Sequence, residues 1–293
     1  MRIGAFEIKE PLPELKEPHV LATLQPWINV GNVGNLTLSW LETRFEAQKL
    51  GKLFRPGNFF DFTRYRPTSH YKEGQRKLII PNTRITYIQQ KTDNDFLFLH
   101  ILEPHNQSEV YVESILKILK TFGVKRYGLI GSMYDYVPHT KPLLVTGGTM
   151  GTVVEREFKQ MGIKSSKYQG PTSIATLISQ QATAMDIETM SLLVHLPQYT
   201  QLDDDYIGAV KLIEILSSMY GFPEDEDYIK KAEQQQEQIT LALERNPQLK
   251  TTIEELETRY EARANRNKGE ETPKLSPEVE SFLTEMEKRL TEE

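Results

Sequence analysis

Asp95-Phe96-Leu97-Phe98-Leu99-His100-Ile101-Leu102 is an apolar run broken by a single histidine. A strand with one face in water alternates apolar and polar residues, whereas an unbroken run marks a strand covered on both faces. A helix is expected next. Asn106 stands where an N-cap is wanted, with Glu109 three residues on, the spacing of a capping box. Val112, Ile115, Leu116, Leu119 and Phe122 recur at helical spacing, and Gly123 sits at the position of a left-handed C-cap. Residues 125–131 read as the next strand. Strand, helix and strand in succession are the unit from which parallel sheets are built.

The same alternation extends in both directions. Towards the amino end, 20–24 is a strand and 31–45 a helix with Leu38, Leu41 and Phe45 on one side. Residues 79–88 hold β-branched stretches around a turn at Pro81-Asn82. Towards the carboxyl end, 143–146 is a strand, 149–161 a helix stopped by Gly162, and 173–184 another helix. Residues 188–196 form a strand, and 203–220 a helix stopped by Gly221. The pattern predicts an α/β fold, a three-layer α/β/α sandwich around a mostly parallel, mixed sheet. No solenoid repeat is present.

The composition shifts at Asn246-Pro247, where proline stops a helix. We expect an α/β domain over 1–245 and a helical C-terminal extension over 246–293. The extension holds 8 Lys+Arg and 12 Asp+Glu in 48 residues. Leu249, Ile253, Leu256 and Tyr260 make a narrow stripe; a polar linker with Gly269 and Pro273 spans about 263–275. Ser276-Pro277-Glu278 starts a further helix over 276–290, with Val279, Phe282, Leu283, Met286 and Leu290 on one face. A helix this short must pack on something, either its own body or an unknown protein partner.

Across 293 residues, 35 Lys+Arg against 41 Asp+Glu give a net charge of −6. That excludes a generally basic nucleic-acid binder. Without cysteine there is no disulfide, thiolate metal site or cysteine nucleophile. The first residues carry no apolar stretch of signal-peptide length, and 96–102 falls far short of the roughly 20 residues of a membrane helix. The expectation is a cytoplasmic protein with no membrane and no nucleic-acid partner.

In an open α/β sheet ligands collect beyond the carboxyl ends of the strands. Those ends carry Trp27-Ile28-Asn29-Val30-Gly31-Asn32, Glu103-Pro104-His105, His139-Thr140-Lys141-Pro142 and His195-Leu196-Pro197-Gln198-Tyr199. Gly170-Pro171-Thr172-Ser173 opens a helix, either as an anion cradle or as ordinary capping by Thr172 or Ser173. His100, Glu103 and His105 do not match a zinc spacing, so no metal is expected. Gly147-Gly148-Thr149 reads as a helix opening but lacks a dinucleotide fingerprint or a Walker lysine, and no Gly-x-Ser-x-Gly elbow exists. Phe59 to Pro67 interleaves aromatics with Asp61, Arg64 and Arg66. Alternation places Asp61, Thr63 and Tyr65 on one side, a salt-bridged strand or subunit contact in preference to a nucleic-acid platform.

Taken in order, Trp27-x-Asn29-x-Gly31-Asn32, Asp61-x-x-Arg64-x-Arg66-Pro67, Glu103-Pro104, His139-Thr140-Lys141-Pro142, Gly170-Pro171-Thr172 and Pro197-x-Tyr199 resemble the PAC2 family of proteasome-assembly-chaperone-like proteins, in its bacterial branch. The resemblance covers about residues 19–245. It implies a phosphorylase/hydrolase-like sandwich, homo-oligomers that are often trimers, and a chaperone or scaffold role without catalytic residues or cofactor. The motif residues, with Ser173, form the candidate binding cluster. The alternative is a small-molecule binder or hydrolase/phosphorylase-like enzyme using the same cluster. Three positions depart from the branch: Asn29 where Asp is usual, Lys141 where Arg is usual, and Gln198 where His is usual. Asn cannot act as a carboxylate base and Lys lacks the planar fork of Arg, which weakens a catalytic reading. The hydrophobic-Tyr-x ending of archaeal proteasome-docking relatives is also absent from Arg289-Leu290-Thr291-Glu292-Glu293.

Overall fold

From the amino end the chain forms β1 (Arg2–Ile3), β2 (Phe6–Ile8), β3 (His19–Gln25), α1 (Val33–Arg44), β4 (Gln48–Leu53), β5 (Thr68–Lys72), β6 (Gln75–Ile79) and β7 (Arg84–Ile88). It continues through β8 (Phe96–Leu102), α2 (Ser108–Thr121), β9 (Arg126–Asp135), β10 (Val145–Met150), α3 (Thr152–Gln160), β11 (Lys164–Ser165) and α4 (Ile174–Thr183). It ends with β12 (Glu188–Pro197), α5 (Tyr206–Tyr220), α6 (Glu226–Leu243), α7 (Pro247–Ala264) and α8 (Pro277–Glu292). This computed structural model describes residues 1–91, 94–166, 168–243, 247–264 and 275–292.

Ten strands make one sheet in the order β1-β2-β4-β7-β8-β3-β9-β12-β10-β11, and β5 and β6 pair separately. Its centre, β8-β3-β9-β12, is parallel, with Gln25 beside Leu102 and Pro197 beside Asp135. The wing from β1 to β8 is antiparallel, as is the β10–β12 pair. The alternating run of β8 explains the three layers. Leu97, Leu99 and Ile101 enter one core with Val112, Ile115 and Leu119 of α2 and Ile178 of α4. Phe96 and Phe98 enter the other with Leu38 and Leu41 of α1 and Leu212 and Leu216 of α5. Each such buried side chain contributes roughly 1.5–3 kcal/mol, which is why this strand tolerates no polar alternation. The expected α/β/α sandwich is therefore the fold, and the four parallel carboxyl ends share one rim.

Several local expectations are corrected. The cap of α2 is Gln107, in the left-handed region, rather than Asn106. The backbone N–H groups of His105 and Asn106 both donate to Phe59 O, which holds that loop away from cap geometry. Gly147-Gly148-Thr149 lies in β10, not at a helix start. A Cβ on Gly147 would sit 2.1 Å from Ser191 O, so the glycine serves close strand approach. Phe59 to Pro67 is a run of turns instead of an alternating strand. Phe59 and Phe60 both enter the core, because buried aromatic area outweighs alternation here. The helix expected over 203–220 starts at Tyr206, where Asp205 caps α5 by accepting from Gly208 N at 2.7 Å.

Residues 245 and 246 of the expected boundary and most of the linker at 263–275 lie outside the described residues, as do the side chains of Met286 and Leu290. What is described of α7 and α8 folds onto the body. Leu256, Leu275, Val279 and Leu283 are buried together with Tyr199. Among the described residues no helix is long and apolar enough to cross a membrane.

Candidate functional site

The rim is built first by the loop after β3. Asn29 forms a bridge with Ser132 of β9, and Ser132 N donates to Ile28 O at 3.0 Å. That approach leaves no room at Gly131, where a Cβ would lie 1.8 Å from Ile28 O. Asn29 Oδ1 accepts from Gly34 N at 2.8 Å at the start of α1, while its Nδ2 is buried without a partner. Gly31, at φ 57, gives its carbonyl to Asp205 N at 2.7 Å. Asn32 Nδ2 donates to Asp204 Oδ1 at 2.7 Å. Asn29, Gly31 and Asn32 thus tie two rim loops together, and Trp27 projects from them, 64% exposed.

The second group gathers after β8. Glu103 Oε1 accepts from the backbone N–H of Ile174 at 3.0 Å, at the first turn of α4. The anion cradle expected at Gly170-Pro171-Thr172-Ser173 is therefore filled by the chain's own carboxylate. Ser173 stands at the N-cap of α4 as expected of ordinary capping, but neither its hydroxyl nor that of Thr172 bonds a helix N–H. Thr172 bonds Thr176, while Ser173 Oγ and Glu103 Oε2 are buried without partners. Burial pushes the Glu103 carboxyl above its ordinary range, with the Ile174 N–H opposing. Tyr65 OH donates to Glu103 O at 3.1 Å and its ring packs on His105. Asp61 N donates to His105 Nδ1 at 3.1 Å. The Asp61 carboxylate turns back to Thr63 N and Oγ1, bonds that hold it below the usual carboxylate range. Arg64 and Arg66 are exposed and make no ion pair among the described residues.

The third group lies under the extension. Tyr199 OH accepts from His139 N at 2.7 Å and lies 2.8 Å from His139 Nδ1. The one hydroxyl thus bonds both the backbone and the ring of His139. Burial lowers the His139 pKa. Gln236 of α6 donates to His139 O at 3.0 Å. Thr140 bonds Glu257, Lys141 Nζ bonds Glu261 Oε1 at 2.7 Å, and Tyr260 OH donates to Pro142 O at 2.9 Å. Gln198 Nε2 donates to Leu283 O of α8 at 3.3 Å. Two of the three positions that depart from the family pattern, Lys141 and Gln198, are thus spent on the extension. A cavity of about 110 Å³ remains beside His139, Lys141, Thr200, Asp205 and Gln236.

Glu103 does not line the cavity beside His139; each ends in its own hydrogen-bonded set. Sequence reasoning missed Asp135, whose Oδ2 accepts from His195 Nδ1 at 2.7 Å and from Arg263 at 2.9 Å. Burial would raise its pKa, but these two partners hold it well below the usual carboxylate range. A carboxylate at the last residue of a buried parallel strand was the available signal. Also missed was Glu42, which accepts from Thr86 Oγ1 at 2.6 Å and lies 2.8 Å from His100 Nε2. This pair lines a groove of about 1210 Å³ between α1 and the antiparallel wing, with Lys49, Lys52 and Arg84. Among the described residues no three His, Asp or Glu side chains are grouped to hold a metal ion.

A family model described as "PAC2 family" matches residues 23–243. A search of curated proteins gives no match. Among solved structures, a protein of unknown function from Corynebacterium glutamicum aligns with a TM-score of 0.79 at 16% identity, covering 90% of this chain and 99% of that one. A PAC2 family protein from Streptomyces avermitilis gives 0.72 at 20%, covering 80% and 99%. A Mycobacterium tuberculosis proteasome-assembly chaperone homologue gives 0.70 at 19%, also covering 80% and 99%. At these identities the likeness is one of fold.

Proposed function

The chain belongs to the PAC2 family, and from that premise we propose that it is a non-enzymatic protein of chaperone or scaffold type, working as a homo-oligomer through protein–protein contacts. One observation carries this reading: the His139–Lys141 loop and Gln198 are bonded to Tyr199 and to α6, α7 and α8, leaving about 110 Å³ at His139. An enzyme of small molecules needs a concave site with convergent, accessible polar groups. The rim instead offers a broad relief of loop tips and helix, with Trp27 and the arginines of 64–66 outermost. The chaperone part of the proposal leans on kinship with the Mycobacterium tuberculosis homologue. The extension, with its acidic outer face at Glu278 and Glu280, is the second contact element.

A second reading, a small-molecule-binding or hydrolase/phosphorylase-like protein, has one observation in its favour. Glu103 combines a raised pKa with a bare, buried Oε2 beside an unpartnered Ser173 Oγ. Light-scattering mass of the full chain, with a thermal-shift screen of metabolites, separates the two. The scaffold reading expects a stable oligomer that no metabolite stabilises, and a change of mass or partner when residues 265–293 are removed. A reproducible turnover lost in His139→Ala or Glu103→Ala overturns it.

A further inference from the structure

The β5–β6 hairpin stands apart from the ten-stranded sheet, and every one of its strand residues is exposed. An isolated two-stranded hairpin is marginal in water, so a hairpin packed on nothing asks for a partner surface. Its register puts Tyr71 opposite Arg76 and Ser69 opposite Leu78, on one face. Tyr71 is 68% and Leu78 65% exposed, and Arg76 NH2 donates to Tyr71 OH at 3.0 Å, its guanidinium over the ring. Tyrosine, arginine and an aliphatic residue held rigid on one face are the composition of an interface centre.

Charge names the occupant. Residues 64–80 hold five Lys+Arg and one Glu, +4 in a chain of −6, which leaves −10 on the remainder. The body of a second copy is therefore an acidic surface. At its rim the exposed Asp203 and Asp204 adjoin the loop of exposed Trp27, tied to it through Asn32 and Gly31. Aromatic plus acid there matches aromatic plus base on the hairpin.

Resting on the homo-oligomer reading above, we infer that the β5–β6 hairpin docks on the Trp27/Asp203/Asp204 rim of a second copy. The two patches differ, the hairpin lying in the connection from β4 to β7 and the acids in the connection from β12 to α5. The contact is therefore heterologous, and repeats head to tail.

The test is the mass of the full chain by light scattering, with thermal melting to verify folding. Arg76→Glu, the pair Tyr71→Ser/Leu78→Ser, and the pair Asp203→Lys/Asp204→Lys are each expected to melt cooperatively, the last slightly lower for the lost Asn32–Asp204 bond, and to weaken assembly at least tenfold. Mixing Arg76→Glu with Asp203→Lys/Asp204→Lys sets parent hairpin on parent rim and reversed hairpin on reversed rim, and so recovers an association that neither variant shows alone. Combining all three charge changes in one chain restores the parent assembly. An oligomer whose mass none of the variants alters overturns the hairpin contact while leaving the oligomer reading standing. A parent chain that is monomeric at all concentrations removes both. A monomer that binds a single-stranded oligonucleotide, with binding lost in Arg76→Glu, assigns the hairpin to nucleic acid instead.

Discussion

The Glu103 carboxylate, at the end of β8, accepts the backbone N–H of Ile174 at 3.0 Å and so caps a helix 71 residues further along the chain. A helix start leaves its first N–H groups without intrahelical partners, and a carboxylate there meets both a donor and the positive end of the helix dipole. Two motifs that read from sequence as separate site elements are the two halves of one tertiary cap. Glu103→Ala is expected to lower stability by about 1–2 kcal/mol, the worth of a lost cap. Glu103→Gln, which keeps an acceptor, costs less than half of that. Urea midpoints at constant m-value measure both; an unchanged midpoint in the alanine variant would show that the bond contributes nothing.

Tyr199 holds the second junction, between the His139 loop and the extension. Tyr199→Phe keeps the ring among Leu256, Val279 and Leu283 but strips the partner from His139 N and Nδ1. Leaving buried polar groups unsatisfied costs about 1–3 kcal/mol. The variant should melt lower and be nicked faster by protease near 136–144, while Tyr199→Ala loses the packing of α7 and α8 as well. Equal protease rates in parent and Tyr199→Phe would place the hold on the extension in apolar packing alone.

What the sequence revealed and what it hid divide by distance along the chain. Phe96 to Leu102 and the Val112–Ile115–Leu119 stripe carry their own periodicity, so strand, helix and layer follow from neighbouring residues. Gly147 misled because its reason is Ser191 O on the adjacent strand, which no local pattern records. Phe59 to Pro67 misled because alternation there is incidental to two phenylalanines in the core. The roles of Glu103, His139 and Lys141 depend on residues 71, 60 and 120 positions away. Residue type identified them as polar loop tips, and only the fold says that they bind one another.

Asp135 joins β9 to the extension through Arg263 and to β12 through His195. Its pKa is depressed in the fold, so the stability it supplies is present above the ordinary carboxylate range and is lost as pH falls below it. Asp135→Asn should reduce, by the share of this one carboxylate, the acid loss that the parent shows below about pH 4, with Glu42 and Asp61 supplying the rest. It should also speed hydrogen exchange in α7 at neutral pH. Exchange confined to its parental rate would mean that Arg263 does not hold the helix.

His19 sets the behaviour at milder acidity. It is buried where β3 begins, against Phe96 and Tyr220, with the Arg126 guanidinium close by. Burial, then the charge of Arg126, lower its pKa from 6.5 to about 4, with Glu188 opposing. Arg126 is itself clamped by Glu157 and Glu188 at 2.9 Å each, so this positive charge cannot turn away. For a base with a depressed folded pKa, the unfolded chain takes up protons first. The stability is therefore complete above pH 6.5 and drains away as pH falls towards about 4. At about 1.4 kcal/mol per pKa unit the loss approaches roughly 3 kcal/mol. His19→Gln keeps a polar group near Tyr220 OH but cannot charge. Its stability at pH 7 should fall by about 1 kcal/mol for the imperfect fit, and its curve between pH 6.5 and 4 should flatten. His139, whose pKa burial also lowers, leaves a residual slope. Denaturant titrations at half-unit pH intervals measure this, and parallel curves for parent and variant would show that His19 is not kept neutral by the fold.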